Sequence, residues 1–352
     1  MKRTLLRIFG WGTPLLLIYL VINTLIAAGT FRKIDPHFDG TVEQIMLPIA
    51  GPEDIAIDTT TGLAFIPVDD RRVNYREPGS LEGAMLLLDL KDSTRAIRNI
   101  TPKGFTDFHP HGLSLWRKDS ATTIVFVVNH RKLNRIDVVE RFAWRNDSLI
   151  HLESISDRML MTAPNDLVAV GEREFYVTND HYYAAEGIGR MLEEYLQRAI
   201  SYVNYFDGRQ FRKVADGIAY ANGITVSPDG KQVYVAATTG RKLITYNRQD
   251  DGSLMFVSDQ DLATGVDNID ITANGDLWIG CHPQLLKYSA HAVDHSNRSP
   301  SQILRVGKSG QVEEIFLNDG GDYSGSTVGA IYGNMILIGS VFEPSLLICV
   351  RK

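Results

Sequence analysis

The sequence predicts an all-β protein, a six-bladed β-propeller preceded by an N-terminal transmembrane helix and interrupted by one amphipathic helix. Three observations carry this. Most of the chain reads as short apolar runs split by turn residues, one motif recurs six times at the length of a propeller blade, and a long apolar run follows basic residues at the N-terminus.

Runs of four to seven residues rich in Val, Ile, Leu, Tyr and Phe alternate with Gly, Asp, Asn and Pro. Examples are Leu63–Val68, Ala84–Leu88, Ile124–Val128, Gln232–Ala236, Asp276–Ile279 and Met335–Ile338. Many short strands with turn signals point to a sandwich, barrel or propeller. The repeat selects the propeller. It consists of a small or polar pair followed by an alternating strand. The copies begin at Glu53-Asp54, His111-Gly112, Asn165-Asp166, Asn222-Gly223, Asp267-Asn268 and Ser326-Thr327. Their spacing, roughly 45 to 60 residues, is that of a four-stranded blade. Residues 50–352 are therefore expected to form the propeller, with 31–49 a linker and first strand region.

Lys2, Arg3 and Arg7 precede an apolar run from about Trp11 to Ala28 that holds no charged side chain. A run of that length is enough to cross a bilayer, and the basic flank places the N-terminus in the cytosol. Residues 1–30 are expected to be an uncleaved signal anchor. The alternative is a signal peptide cleaved near Ala27-Ala28-Gly29, giving a secreted protein. Either way the propeller lies on the non-cytosolic side. Between Glu186 and Tyr205, Ile188, Met191, Leu192, Tyr195, Leu196 and Ile200 fall at helical spacing. Such a helix either packs its stripe on the propeller rim or serves as a lid or membrane-resting element.

Composition narrows the function. With 44% hydrophobic and 22% charged residues the chain can build a real core, and a net charge of −6 argues against nucleic acid as a partner. Two cysteines, Cys281 and Cys349, are too few for a disulfide scaffold and lie in no zinc or redox pattern.

In a propeller the innermost strand of each blade lines the central channel, so the repeat openings form a ring at one mouth. Glu53, Asn165, Asn222, Asp267 and Asn268 bring carboxylate and amide oxygens to that ring, the ligands calcium prefers. Asp54 and Asp166 sit one residue later, point the other way, and are placed for a second ion deeper in the channel, with the Leu113 carbonyl as a further ligand. Turn chemistry alone explains any single pair, but not six pairs in register. His111 shares the ring position, and His130 ends a neighbouring strand; together they suit general-base work beside a metal-bound carbonyl. His109 and His151 are expected to be local. Asp180 is a candidate partner for a histidine, and His282 a candidate pocket residue.

At these residues the chain resembles the paraoxonases, calcium-dependent arylesterases and lactonases. The similarity rests on Gly51-Pro52-Glu53-Asp54, Pro110-His111-Gly112, Val127-Val128-Asn129-His130, Asn165-Asp166-Leu167-Val168, Thr178-Asn179-Asp180-His181, Ala221-Asn222-Gly223-Ile224, Val266-Asp267-Asn268-Ile269 and Trp278-Ile279-Gly280-Cys281-His282-Pro283. The resemblance implies two calcium ions. Glu53, Asn165, Asn222, Asp267 and Asn268 would hold the catalytic one, and Asp54, Asp166 and the Leu113 carbonyl the structural one. His111 and His130 would form a histidine dyad, with Glu53 as another candidate for activating water. It also implies a disulfide from Cys349 to the N-terminal strand. This chain departs there, because Asp39–Gln44 has no cysteine, and ring closure is expected to rest on strand pairing. The expected activity is hydrolysis of lactones and aryl esters. A non-catalytic membrane-anchored assembly partner and a sugar-lactone hydrolase remain the alternatives.

Overall fold

The computed structural model describes residues 2–183 and 187–352. It contains six four-stranded antiparallel sheets, each a blade. The innermost strands are Ala56–Asp58, Pro110–Arg117, Pro164–Ala169, Ala221–Val226, Gly265–Ile271 and Ser326–Tyr332, so each repeat opening stands at the head of a blade. Five blades use consecutive strands. The sixth takes its outermost strand, Gly40–Met46, from the N-terminal side of the chain and pairs it with Ser345–Arg351. That pairing joins the two ends of the chain and closes the ring.

Stacking of the blades explains why their middle strands are continuously apolar. In Thr123–Arg131, Ile124, Phe126 and Val128 face the third blade, while Val125 and Val127 face the first. A strand buried on both faces loses the polar half of the usual alternation. Six such apolar layers, one per blade interface, make up the core. Phe65, Phe126 and Phe175 are fully buried, and each contributes roughly 1.5–3 kcal/mol by burial.

Among the described residues three helices leave the propeller. Helix α2 (Arg71–Arg76), helix α3 (Ile188–Tyr195) and helix α4 (Leu285–Val293) each connect the second and third strands of a blade, the first, third and fifth respectively. Only α3 was expected. It is shorter than the predicted span and its apolar stripe is reversed: Ile188, Met191, Tyr195 and Leu196 are exposed, while Glu193 is buried. Glu193 accepts the Tyr182 N–H at 3.0 Å, and Glu194 pairs with His181 at 2.8 Å, so its acids, not its apolar side chains, hold it to the propeller. The helix ends where Gln197 takes a left-handed conformation (φ 51°) and the Arg198 N–H reaches back to the Glu193 carbonyl. Glu186, the start of the predicted span, lies outside the described residues.

The N-terminal helix α1 covers Lys2–Ala27. The expected membrane-crossing helix from about Trp11 to Ala28 is not met: among the described residues no helix is long and apolar enough to cross a membrane. Its last turn docks on the propeller instead. Thr24 Oγ1 donates to the Tyr195 carbonyl at 3.3 Å, and the Leu285 N–H donates to the Ala28 carbonyl at 2.9 Å. Leu15, Leu16, Leu17, Ile18, Val21 and Ile22 nonetheless remain exposed.

Candidate functional site

Each repeat opening falls on a break in its ladder. Pairing of the innermost strand with its neighbour skips between Pro110 and Leu113, Pro164 and Leu167, Ala221 and Ile224, and Val266 and Ile269. The first blade does the same between the Pro52–Val68 bridge and Ala56. The skipped residues are His111-Gly112, Asn165-Asp166, Asn222-Gly223, Asp267-Asn268 and Glu53-Asp54-Ile55. A bulge frees side chains and re-aims them, and here it brings polar residues to the channel that ladder geometry would bind elsewhere. Adjacent inner strands meet closely at the same points. A Cβ on Gly223 would stand 2.4 Å from the Asp267 carbonyl oxygen, and one on Gly112 would stand 2.5 Å from Asp166 Oδ1.

The five residues predicted for the upper ion share one feature. Each is buried and each has one side-chain oxygen without a hydrogen-bond partner among the described residues: Glu53 Oε2, Asn165 Oδ1, Asn222 Oδ1, Asp267 Oδ1 and Asn268 Oδ1. The other atom of each side chain is fixed. Asn165 Nδ2 donates to Asp180 Oδ2 at 3.1 Å, Asn222 Nδ2 to Thr238 Oγ1 at 3.1 Å, and Asn268 Nδ2 to Glu53 Oε1 at 2.9 Å. Asp267 Oδ2 lies 2.7 Å from His282 Nε2. Leaving a buried polar atom unpaired is costly, roughly 1–3 kcal/mol each, and five such oxygens together could hold a cation. Among the described residues no group of three or more His, Cys, Asp or Glu side chains is arranged to hold a metal ion. This set instead combines three amides with two carboxylates, a composition suited to a hard cation such as calcium.

Below it, Asp54 and Asp166 are also buried. Asp54 accepts the N–H groups of Ile55 (2.8 Å) and Leu113 (2.9 Å); Asp166 accepts those of Leu167 (2.7 Å) and Ile224 (2.8 Å). Burial and neighbouring acids push Asp54 up to about 8 and Asp166 well above the usual carboxylate range. The structure adds Asp270, which the sequence reading missed. It is raised to about 6 by burial and accepts the Ile331 N–H at 2.8 Å. Asp54, Asp166 and Asp270 belong to the first, third and fifth blades, and each carboxylate accepts an N–H from the blade that follows.

His111 and His130 are in contact, with Nδ1 of the first 2.8 Å from Nε2 of the second. His130 Nδ1 is 2.9 Å from Asp137 Oδ1, a partner not anticipated because it lies on the facing strand. If Asp137 accepts the Nδ1–H of His130, its Nε2 accepts from His111 Nδ1–H, and His111 Nε2 carries a lone pair toward Glu53 Oε2 at 3.5 Å. Burial lowers the His111 pKa and favours the neutral ring. Burial opposes charge on Glu53 too, but His111 and Arg71 outweigh it and hold the carboxyl at about 2.

Asp180 is joined to His181 (2.6 Å) and to Asn165, not to the histidine pair. His282 holds Asp267 and stacks on Tyr288, ring centroids 3.8 Å apart. His109 bonds Asp69 at 3.0 Å and His151 bonds Glu140 at 2.9 Å, both away from the ring oxygens. A cavity of about 680 Å³ opens above Asn222, Asp267 and His282, walled by residues of all four helices. Its described lining does not include His111 or His130.

The Arylesterase family model matches residues 50–349. Serum paraoxonase/arylesterase 1 of Homo sapiens is 36% identical over 307 residues, covering 84% of this chain and 85% of that protein. Serum paraoxonase/arylesterase 2 of Rattus norvegicus is 34% identical, with 84% and 85% covered. Among solved structures, a luciferin-regenerating enzyme (TM-score 0.57, 13% identity, 88% of this chain and 95% of that one) and a putative gluconolactonase (TM-score 0.55, 12% identity, 91% and 96%) share the fold. With the family model matched over residues 50–349, most of the propeller, this chain belongs to the arylesterases.

Proposed function

We propose that the protein is a calcium-dependent hydrolase of lactones and aryl esters, with two calcium ions in its channel. The observation that carries this is the set of five buried, unpaired oxygens on Glu53, Asn165, Asn222, Asp267 and Asn268. These residues would hold the upper ion; Asp54, Asp166 and the Leu113 carbonyl would hold the lower. A calcium ion bound there supplies a Lewis acid for the substrate carbonyl and charge stabilisation for the oxyanion that develops. The remaining work falls to the chain. His111 Nε2 accepts a proton from water, His130 and Asp137 hold the imidazole in the tautomer that leaves that atom free, and Glu53 lies beside the same point. His282 and Asp180 position Asp267 and Asn165 from behind. Attack on a lactone opens the ring to a hydroxy acid; attack on an aryl ester releases a phenol and a carboxylate.

The test is hydrolysis of a five-membered lactone and of phenyl acetate by the full chain in neutral detergent, with calcium and after chelation. Turnover is expected only with calcium and is expected to fall at least about a hundredfold in Asn268→Ala, the scale of losing one stabiliser of the developing charge. A folded, calcium-loaded protein that turns over neither ester would overturn this reading in favour of a binding role.

Attachment to a membrane on its non-cytosolic side is part of the same reading. It is supported by the exposed apolar side chains of α1 and by the exposed stripe of α3, joined through the Thr24–Tyr195 contact. The protein is expected in the membrane fraction after high-salt washing, and a chain lacking residues 1–28 in the soluble fraction. Recovery of the full chain as a soluble protein would exclude attachment through α1.

A further inference from the structure

Helix α2 carries three arginines, Arg71, Arg72 and Arg76, and all three line the cavity above the ring. Among the described residues the acids in that lining are Glu194 and Asp267, and both are engaged. Glu194 is paired with His181 at 2.8 Å and lies 3.7 Å from Arg190, while Asp267 is held by His282. Arg71 donates to the carbonyls of Gly51 and Pro110, at 3.4 and 3.2 Å. Arg72 donates to the carbonyls of Phe342 and His291, at 3.4 and 2.6 Å, and its guanidinium lies 4.4 Å over the Phe342 ring. Carbonyls and a ring face orient a guanidinium without neutralising it. Arg76 stands exposed at the rim. None of the three forms a salt bridge among the described residues. Asp70, Asp294 and Glu343 act on Arg72 electrostatically, Asp294 also on Arg76, and Glu53 and Asp69 on Arg71, but none of these acids lines the cavity.

The cavity thus combines the cationic side chains of α2 with aromatic ones, Tyr195, Tyr220 and Tyr288. A neutral, lipophilic ester would meet, on its way to the ring, arginines that no acid of the described lining pairs with in a salt bridge. The geometry points to a substrate that is itself an anion: a lactone or aryl ester bearing a carboxylate remote from the scissile bond. Its body lies against the tyrosines, its carbonyl reaches the ring, and its carboxylate meets Arg76 at the rim with Arg72 behind it. Planar guanidinium and carboxylate match in a paired hydrogen bond, and a cationic wall also raises the local concentration of an anion. This assignment rests on the hydrolase reading above and adds a substrate class to it.

The full chain, calcium-loaded and in neutral detergent, is assayed with 4-acetoxybenzoate and with its neutral analogue 4-acetoxybenzamide. The readout is the ratio of their kcat/KM values, each corrected for uncatalysed hydrolysis. The ratio is expected to be about tenfold or more in favour of the anion and to shrink as NaCl rises from about 0.05 to about 0.5 M, as screening requires. It is expected to approach one in Arg76→Gln and to be largely kept in Arg76→Lys, which retains the charge. A wild-type ratio near or below one, a ratio unmoved by salt, or one that Arg76→Gln leaves intact would each overturn the assignment. The salt titration uses the wild-type protein alone, so it decides the matter even if the variant fails to fold. Failure is separable from that of the underlying reading: hydrolysis of the amide with no preference for the acid sinks only the substrate class, whereas hydrolysis of neither sinks the hydrolase.

Discussion

Asn222 shows what a single side chain contributes to the ring. Its Nδ2 is fixed by Thr238 Oγ1, which in turn donates to the Val266 carbonyl at 2.6 Å, and so its Oδ1 is held in place with no partner. The sequence names Asn222 as a candidate because it opens a repeat. Nothing in the sequence names Thr238, Asp137 or Asp270, which stand opposite or beyond their partners across strand pairings. The lower acids differ in kind from the upper set, because their oxygens already accept backbone N–H groups across blade boundaries. Asp54→Ala strips partners from the Ile55 and Leu113 amides, at roughly 1–3 kcal/mol for each buried group left unpaired. His111→Gln gives up one contact with His130. The melting temperature of the calcium-loaded protein is therefore expected to fall clearly further in Asp54→Ala than in His111→Gln, while both lose activity. Equal shifts in a thermal scan would argue against separate structural and chemical roles.

The elements that cover the mouth follow a rule invisible at the level of residues. Helices α2, α3 and α4 enter from alternate blades, always between the second and third strands, which leaves all of them on the face where the repeat openings stand. Short helices of six to nine residues are hard to see in sequence because they complete at most two or three turns. The stripe of α3 was visible, but its direction was not, since apolar spacing says which residues share a face and not which face is turned inward. Its anchor is His181, between Asp180 and Glu194. Burial opposes charge on this ring, yet the two acids outweigh it and raise its pKa to about 9, above the ordinary 6.5. A raised histidine value means stabilisation that is complete below about 6.5 and lost as pH rises through about 9. The melting temperature is expected to decline over that window, and His181→Gln to flatten the decline. A decline of the same size in the variant would remove His181 as its cause.

On the scale of the whole molecule, closure of the ring rests on seven residue pairs between Gly40–Met46 and Ser345–Arg351. Val42 stands directly opposite Cys349, and both cysteines are free. Directly opposed side chains on antiparallel strands approach closely enough for a disulfide. Val42→Cys is expected to form one with Cys349 and to raise the melting temperature of the oxidised protein above that of the reduced, by up to about 5 kcal/mol of stability for so long a loop. Burial pushes the Cys349 thiol up to about 12, which disfavours the reactive thiolate in the folded state. The bond should therefore form on refolding in a redox buffer more readily than by oxidation of folded protein. Identical melting of the two forms, with the bond confirmed by mass, would show that the edge strand does not limit stability.

Read alone, the sequence determined the number of blades, the polar residues that open them and the apolar run at the N-terminus. These are properties of local pattern: a repeat length, a pair of residue types before a strand, a window of hydropathy. Tertiary structure decided what each of them faces. It turned the openings inward through a bulge in the inner strand of each blade, paired His130 with Asp137, set Asp270 beside Asp54, reversed α3 and docked the end of α1 against Tyr195 and Leu285. Each of these depends on which residues lie opposite one another after the ring closes, and such contacts join positions tens to hundreds of residues apart that no local pattern relates.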